Sequence, residues 1–243
     1  MTYTDVVVYL THIKLRHLSR ALSLMERPTS KQLVEYLKSH GSDALPAIQR
    51  WKRIYRPIIC PFDSLINLIP EGQRVLDIGC GIGTFLQLVA EYRRPQSIGG
   101  IEINRSLIET SRSVLQQLSA QIPTRLEAYN GVDLPAWVEE YSHVLLVDVL
   151  HHIPKKQHET FLSNLLAQIK SGTVVIIKDI DASQPFWCFF NKMHDLLLST
   201  QFTHERGAAE LRASLERLGY RVKQMLQQRV YVYPHFTIVC TKG

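Results

Sequence analysis

Gly79, Gly81 and Gly83 alternate along the chain directly after Val75-Leu76-Asp77-Ile78. Glycine accepts positive φ and carries no Cβ, so such a turn lets backbone approach a ligand that a side chain would hold off. If a helix starts where the turn ends, its first N–H groups lack partners and can face polar ligand atoms. That chemistry is cradling rather than bond-making. Imidazoles are the second set of reactive groups: His151 and His152 follow Asp148, His194 precedes Asp195, and His235 closes Tyr233-Pro234-His235. An imidazole titrates near neutrality, so each could serve as a general base. His194 and Asp195, as neighbours on a helix, would point about 100° apart and could not form a simple dyad. Cys60, Cys80, Cys188 and Cys240 are far apart and show no C-x-x-C spacing. That argues against a zinc site and a disulfide framework, so no metal and a reducing, cytosolic setting are expected.

The elements that must position these groups change character along the chain. Ile13, Leu15, Leu18, Leu22 and Met25, then Leu33, Val34 and Leu37, recur at helical intervals, which predicts a helical cap over residues 1–60. Arg27-Pro28-Thr29-Ser30 breaks the two helices with Ser30 as the expected N-cap, and Gly41-Ser42-Asp43 closes the second. From Gln73 onward strands alternate with amphipathic helices, a pattern that demands a parallel sheet covered on both faces. Strands are predicted near residues 74–78, 97–101, 124–129, 143–147 and 173–178, with helices near 84–92, 105–121 and 155–170 between them. Further helices are predicted near 186–198 and 205–218. Residues 220–226 and 230–240 read as a closing hairpin. The expected class is therefore α/β, with seven mostly parallel strands, an antiparallel C-terminal hairpin strand and a helical N-terminal cap.

The chain has 243 residues, enough for one substantial core with an accessory piece. Hydrophobic residues make up 45% and charged residues 21%, which excludes disordered and fibrous classes. No apolar run approaches the roughly 20 residues of a membrane span, and the N-terminal Val6-Val7-Val8 run lacks the frame of a signal peptide. The net charge is +6 and is unevenly placed. Residues 1–60 hold ten Lys/Arg and four Asp/Glu; subtracted from the chain's 28 and 22, these leave 18 of each sign in the remainder. The excess in the cap could attract phosphates, an anionic membrane surface or an acidic partner, or could be a solvated helical face.

The whole string Val75 to Gly83, VLDIGCGIG, resembles the first motif of the class I S-adenosylmethionine-dependent methyltransferases. The dinucleotide fingerprint differs, being spaced G-x-G-x-x-G without an acid two residues before the first glycine. The resemblance implies a Rossmann-like fold over residues 61–243, with S-adenosylmethionine as cofactor, S-adenosylhomocysteine as product and no metal. Asp77 would fix the cofactor's amino group, and the turn Gly79-Cys80-Gly81 with Gly83 would pack against its methionine part. Glu102, followed by Ile103, ends the second strand, where an acid can accept hydrogen bonds from both ribose hydroxyls. Tyr129 to Pro135 resembles the family's GDALDLP segment, with Asn130-Gly131 at the adenine; Asn130 replaces an acid, and its amide oxygen can still accept from an amine. Asp148 to Pro154 resembles a DVLHHIP segment. It is a second match in the right order.

Methyl transfer is an in-line displacement, so the protein must align the acceptor, exclude water and, for a hydroxyl acceptor, remove a proton. Ligands of open parallel sheets bind beyond the carboxyl ends of the strands, which nominates Asp148, His151, His152, Lys178, Asp179 and Asp181, with Tyr231, Tyr233 and His235 from the last strand. His152, His194 and His235 are the catalytic candidates; His152 is preferred over His151. Phe186, Trp187, Phe189 and Phe190 make a lid insertion near residues 182–205 aromatic, which suits an acyl, aryl or lipid-like acceptor. With the basic cap, that acceptor is expected to be a small molecule, anionic, membrane-borne or carried on an acidic acyl carrier protein. The cytosolic chain could then associate peripherally with a membrane. An RNA methyltransferase is the alternative suggested by Arg50-Trp51-Lys52-Arg53, although Asp148-Val149-Leu150-His151 lacks the N/D-P-P-Y/F segment of base-amino enzymes. A non-catalytic cofactor-binding protein is the other, against which the intact Asp77, Gly79, Gly81 and Glu102 speak.

Overall fold

The computed structural model describes residues 27–40, 45–183 and 204–243. The predicted first helix, Gly41-Ser42-Asp43, the aromatic lid segment, Cys188, His194 and Asp195 lie outside the described residues. Helix α1, Ser30–Ser39, buries Leu33, Val34 and Leu37 on one stripe. Its N-cap is Thr29 rather than Ser30. Thr29 is extended, its side chain accepts from the N–H of Gln32, and the Gln32 side chain accepts from the N–H of Thr29, a complete capping box. The Ser30 hydroxyl instead donates to Asp63 Oδ2 at 3.2 Å.

Two helices follow that the sequence did not predict separately, α2, Ala47–Ile59, and α3, Phe62–Asn67. Pro57 lies inside α2, two residues from its end, so the last turn lacks the bond that an N–H there would give to the Arg53 carbonyl. The polarity of α2 is inverted: Arg53 is buried, whereas Ile48 and Trp51 are 63% and 60% exposed. A search for an apolar core-facing stripe passes over such a helix.

Strands β1 (Arg74–Ile78), β2 (Ser97–Glu102), β3 (Thr124–Ala128), β4 (His143–Val147), β5 (Val174–Ile180), β6 (Tyr220–Val230) and β7 (Tyr233–Lys242) form one sheet in the order β3-β2-β1-β4-β5-β7-β6. All neighbours pair in parallel except β7, which runs antiparallel to both β5 and β6. Helices α4 (Thr84–Arg93), α5 (Arg105–Ser119) and α6 (Lys155–Gln168) make the crossovers, and α7 (Ala208–Arg217) precedes the hairpin. The predicted α/β architecture is present, with the hairpin longer than expected. Its turn falls at Tyr231-Val232, where Tyr231 has φ 54°, because the half-exposed β6 has no clean alternation to mark its end.

Alternate residues of the central strands face opposite layers. Leu76, Ile78, Val144, Leu146, Val175 and Ile177 pack with Phe161 and Leu165 of α6 and Leu211 and Leu215 of α7. Val75, Leu145, Val147 and Ile176 pack on the other face with Leu33 and Leu37 of α1, Leu65 of α3 and Phe85 and Leu88 of α4. The N-terminal helices therefore share the core of the sheet. No described helix is long and apolar enough to cross a membrane.

Arg53 ties this layer together. From α2 it donates to Leu37 O at 3.3 Å and His40 O at 3.2 Å, the carbonyls that end α1, and to Gln87 Oε1 of α4. Replacing it with Met leaves two helix-end carbonyls and an amide without that donor, which costs about 1–3 kcal/mol per buried unsatisfied group. Arg53→Met is expected to lower the urea midpoint clearly, whereas Lys52→Met, at an exposed neighbour, leaves it within error.

Candidate functional site

The order of the strands reverses between β1 and β4, and at such a switch point the loops leave in opposite directions and open a crevice beyond the carboxyl ends. The cleft here encloses about 710 Å³, within the size range of small-molecule sites. Its floor is the turn after β1, one wall is the end of β2 with Tyr129 and Gly131, the other is Asp148 to Pro154, and α2 roofs it through Gln49, Lys52, Arg53 and Arg56.

Each glycine of the turn has its own cause. Gly79, φ 78°, would place a Cβ 2.6 Å from Val149 Cγ2, and Gly83, φ 77°, would press on Leu115 of α5. Those two positions are packing constraints. Gly81, φ 53°, would meet nothing within 4 Å, so its open side is the surface a ligand can approach. Cys80 lines the cleft while its Sγ packs over Gly100 in the core.

Asp77 is buried at 3% exposure, and its Oδ1 has no hydrogen-bond partner among the described residues. Burial, then the charge of Glu102, pushes its carboxyl up to about 8, against the opposing pull of Arg56. A buried carboxylate without a donor is costly, so the site fits a ligand that brings a cationic donor. Glu102 is held at the rim: Oε2 accepts from Gly81 N and Oε1 from Asn104 N, both at 3.1 Å. Each carboxylate oxygen retains a second lone pair for a hydroxyl. An adenosyl amino acid, with an ammonium group and two ribose hydroxyls to donate, matches this pair of acceptors.

Asp148 ends β4 with φ 58°, a left-handed conformation uncommon for a side-chain-bearing residue. Its Oδ1 receives Lys178 Nζ at 2.5 Å and its Oδ2 receives Arg56 Nη2 at 2.8 Å. Burial would raise its pKa, but Lys178 and then Arg56 hold it well below the usual carboxylate range. The Cys60 thiol, pushed up to about 12 by burial, donates to the same Oδ2 at 3.6 Å. Asp148, His151 and Asp179 converge within 4.8 Å, as ligands of a cation would, but Lys178 and Arg56 already supply positive charge there.

The two adjacent histidines part company on the short 3-10 turn Leu150–His152. His151 turns inward, where Asp179 accepts from its Nδ1 and, at 3.1 Å, from its backbone N–H. His152 lines the cleft with its ring 4.1 Å from that of His151. His152 is exposed to the cleft, and the partial desolvation of its ring, then the charge of His151, lowers its pKa to about 4. His235 does not line the cleft. It is buried, and its Nε2 meets Ile59 O at 2.9 Å, so it pins the hairpin to the end of α2 instead of reaching a substrate. Burial, then Lys178, lowers its pKa to about 4.

Of the residues read from the sequence, Asp77, Gly79, Cys80, Gly81, Glu102, Ile103, Gly131, Asp148 and His152 meet in this cleft. Asn130 is not among the lining residues; its amide oxygen accepts from Val132 N and Asp133 N and its amide nitrogen donates to Asp133 Oδ2, so the amide is engaged within its own turn. Lys178 and Asp179 support their neighbours from behind, and Asp181 anchors the start of α7 by accepting from Ala208 N at 3.3 Å. Tyr231 is exposed at the hairpin tip. Sequence reasoning missed Tyr129 and the cleft-facing residues of α2. The spacing of Gln49, Lys52, Arg53 and Arg56, one helical face, was the available signal. Of the cluster that suggested RNA, Arg53 is buried inside the protein.

A family profile described as a methyltransferase domain matches residues 50–225. An O-methyltransferase, resE, of Aspergillus sclerotiorum is 26% identical over 165 residues, covering 67% of this chain and 60% of that protein. The chain thus spans three fifths of that relative's length. The magnesium protoporphyrin IX methyltransferase of Synechocystis, crystallised with bound S-adenosylhomocysteine, superposes with a TM-score of 0.62 at 15% identity, covering 86% of this chain and 92% of that one. An O-methyltransferase family 2 protein of Planctomyces limnophilus in complex with apigenin gives 0.64 at 14% identity, covering 87% and 66%.

The glycine roles separate experimentally. Gly79→Ala is expected to destabilise the fold by about 2–4 kcal/mol, from the left-handed backbone and the clash with Val149. Gly81→Ala is expected to cost only the backbone preference, about 1–2 kcal/mol, yet to weaken S-adenosylhomocysteine at least tenfold. Thermal melts and calorimetry on both variants check this.

Proposed function

Because the chain belongs to the methyltransferase-domain family, we propose that it transfers a methyl group from S-adenosylmethionine to the hydroxyl of a small, largely apolar acceptor. The observation that carries this reading is the pairing, across one cleft, of Asp77, whose Oδ1 has no partner among the described residues, beside an open glycine with the imidazole of His152. S-adenosylmethionine supplies an electrophilic sulfonium methyl when bound. The chain's residues orient, desolvate and deprotonate. Asp77 receives the ammonium group, Glu102 the ribose hydroxyls, and Ile103, Leu107 and Tyr129 form the apolar and aromatic wall suited to adenine.

Beyond the donor, Phe62, Phe85, Val147 and Ile153 line the cleft with apolar surface. This suits an aryl or acyl acceptor and keeps water from competing for the methyl group. His152 stands on that wall. As a neutral imidazole it can accept the hydroxyl proton while oxygen attacks. The names of resE and of the Planctomyces limnophilus protein support oxygen over nitrogen or carbon. Exposed Lys31, Lys38 and Lys52 keep the α1–α2 surface cationic, which favours an acceptor with an anionic group.

The test is a labelled-methyl assay with S-adenosylmethionine and a panel of hydroxylated aryl and acyl acceptors, run on the wild type and His152→Gln. The variant is expected to lose about 10²–10⁴-fold in kcat with unchanged S-adenosylhomocysteine affinity. Since the imidazole pKa is depressed, the active neutral form persists as pH falls. At saturating S-adenosylmethionine the wild-type rate should stay level from about pH 8 to pH 5 and drop only nearer 4, without the inflection near 6.5 of an unperturbed histidine. No transfer to any oxygen acceptor, or full activity of the variant, contradicts the reading.

A further inference from the structure

We infer that the outward face of α2 is a docking surface for an anionic lipid bilayer. The inference concerns where the chain sits and stands apart from the donor reading. With about 100° between successive residues of a helix, Ile48, Trp51 and Tyr55 fall within an arc of about 60°, and Gln49, Lys52, Arg53 and Arg56, which roof the cleft, fall on the neighbouring face. The helix turns its polar face to the protein and its apolar one outward. Ile48 and Trp51 are both more than half exposed, and the Tyr55 ring lies 5.3 Å from that of Trp51.

Single exposed hydrophobic residues are ordinary, but this stripe is continuous along a rigid helix and bordered by cations. Lys38 of α1 places its Nζ 5.4 Å from the centre of the Tyr55 ring. Lys31 stands two turns earlier on α1, and Lys52 follows Trp51; all three lysines are exposed. Across both helices Glu35 is the single acid, and α2 contains none. Indole and phenol rings favour the boundary between headgroups and acyl chains, and lysines beside them reach lipid phosphates while their stems lie along apolar surface.

The chemistry of the stripe and its border selects the partner. A second copy docked through the same face would set one cationic border against another. Single-stranded nucleic acid would stack on the rings but gain nothing from aliphatic Ile48. An anionic bilayer answers both halves at once, with acyl chains for the stripe and headgroups for the lysines. Docked this way, the roof of the cleft lies along the lipid surface.

The experiment is co-sedimentation of the full chain with vesicles of phosphatidylcholine alone and of an equal mixture of phosphatidylcholine and phosphatidylserine. Binding is expected to the mixed vesicles, falling as salt is raised, with little to phosphatidylcholine alone. Trp51→Ser should weaken binding to the mixed vesicles about tenfold or more while keeping the wild-type melting temperature, because the side chain is exposed. Lys31→Gln and Lys38→Gln should each weaken it about fivefold. No sedimentation with the mixed vesicles overturns the inference. So does full binding by Trp51→Ser, which would put the contact elsewhere on the chain. A dimer in sedimentation velocity that Trp51→Ser dissociates would give the face to a second copy, and a clearly lowered melt of that variant would give it to packing within the chain; both overturn the inference.

Discussion

Asp148 places a carboxylate at the end of the central strand, where the sheet, the α2 roof and the cleft meet. Burial there would neutralise it, yet Lys178 from the next strand and Arg56 from the roof keep it ionised. The left-handed backbone at Asp148 costs on the order of 1–3 kcal/mol, and the doubly paired side chain holds it there. Once the chain turns at Asp148, Leu150–His152 follow as a tight turn, His151 swings onto Asp179, and His152 is left facing the ligand space. One ion-paired carboxylate thus ties the roof of the site to its Asp148–Pro154 wall.

The cleft itself is a consequence of topology. Parallel strands connected by right-handed helical crossovers force β1 and β4 apart at their carboxyl ends. The glycine turn fills the bottom of that gap without side chains, and α2 closes the top with polar ones. This explains why α2 exposes Ile48 and Trp51 while burying Arg53. Its inner face is specified by hydrogen bonds to α1 and α4 and by charge over the cleft, together with Ile54, which packs against the core.

The parallel sheet was legible because its strands are short apolar runs, each set off by a helical period or a turn. The floor of the cleft was legible because Asp77, Gly79, Gly81 and Glu102 sit at fixed offsets from strand ends, and backbone geometry converts those offsets into positions. Asn130 shows the limit of such transfer: its amide is used within its own turn. The Thr29 cap, the hairpin turn and α2 depended on local hydrogen bonding or on contacts between distant segments, such as Arg53 with Gln87 and Arg56 with Asp148. His235 illustrates the same point, since only its pairing with Ile59 O removes it from the cleft.

A crystal structure of the chain grown with S-adenosylhomocysteine decides whether this cleft holds an adenosyl amino acid between β1 and β4. The ribose hydroxyls are expected on Glu102 and the amino group on the Asp77 oxygen that has no partner among the described residues. A ligand seated elsewhere, or a cleft that stays empty at saturating ligand while Asp77 keeps its bare oxygen, would contradict that binding mode.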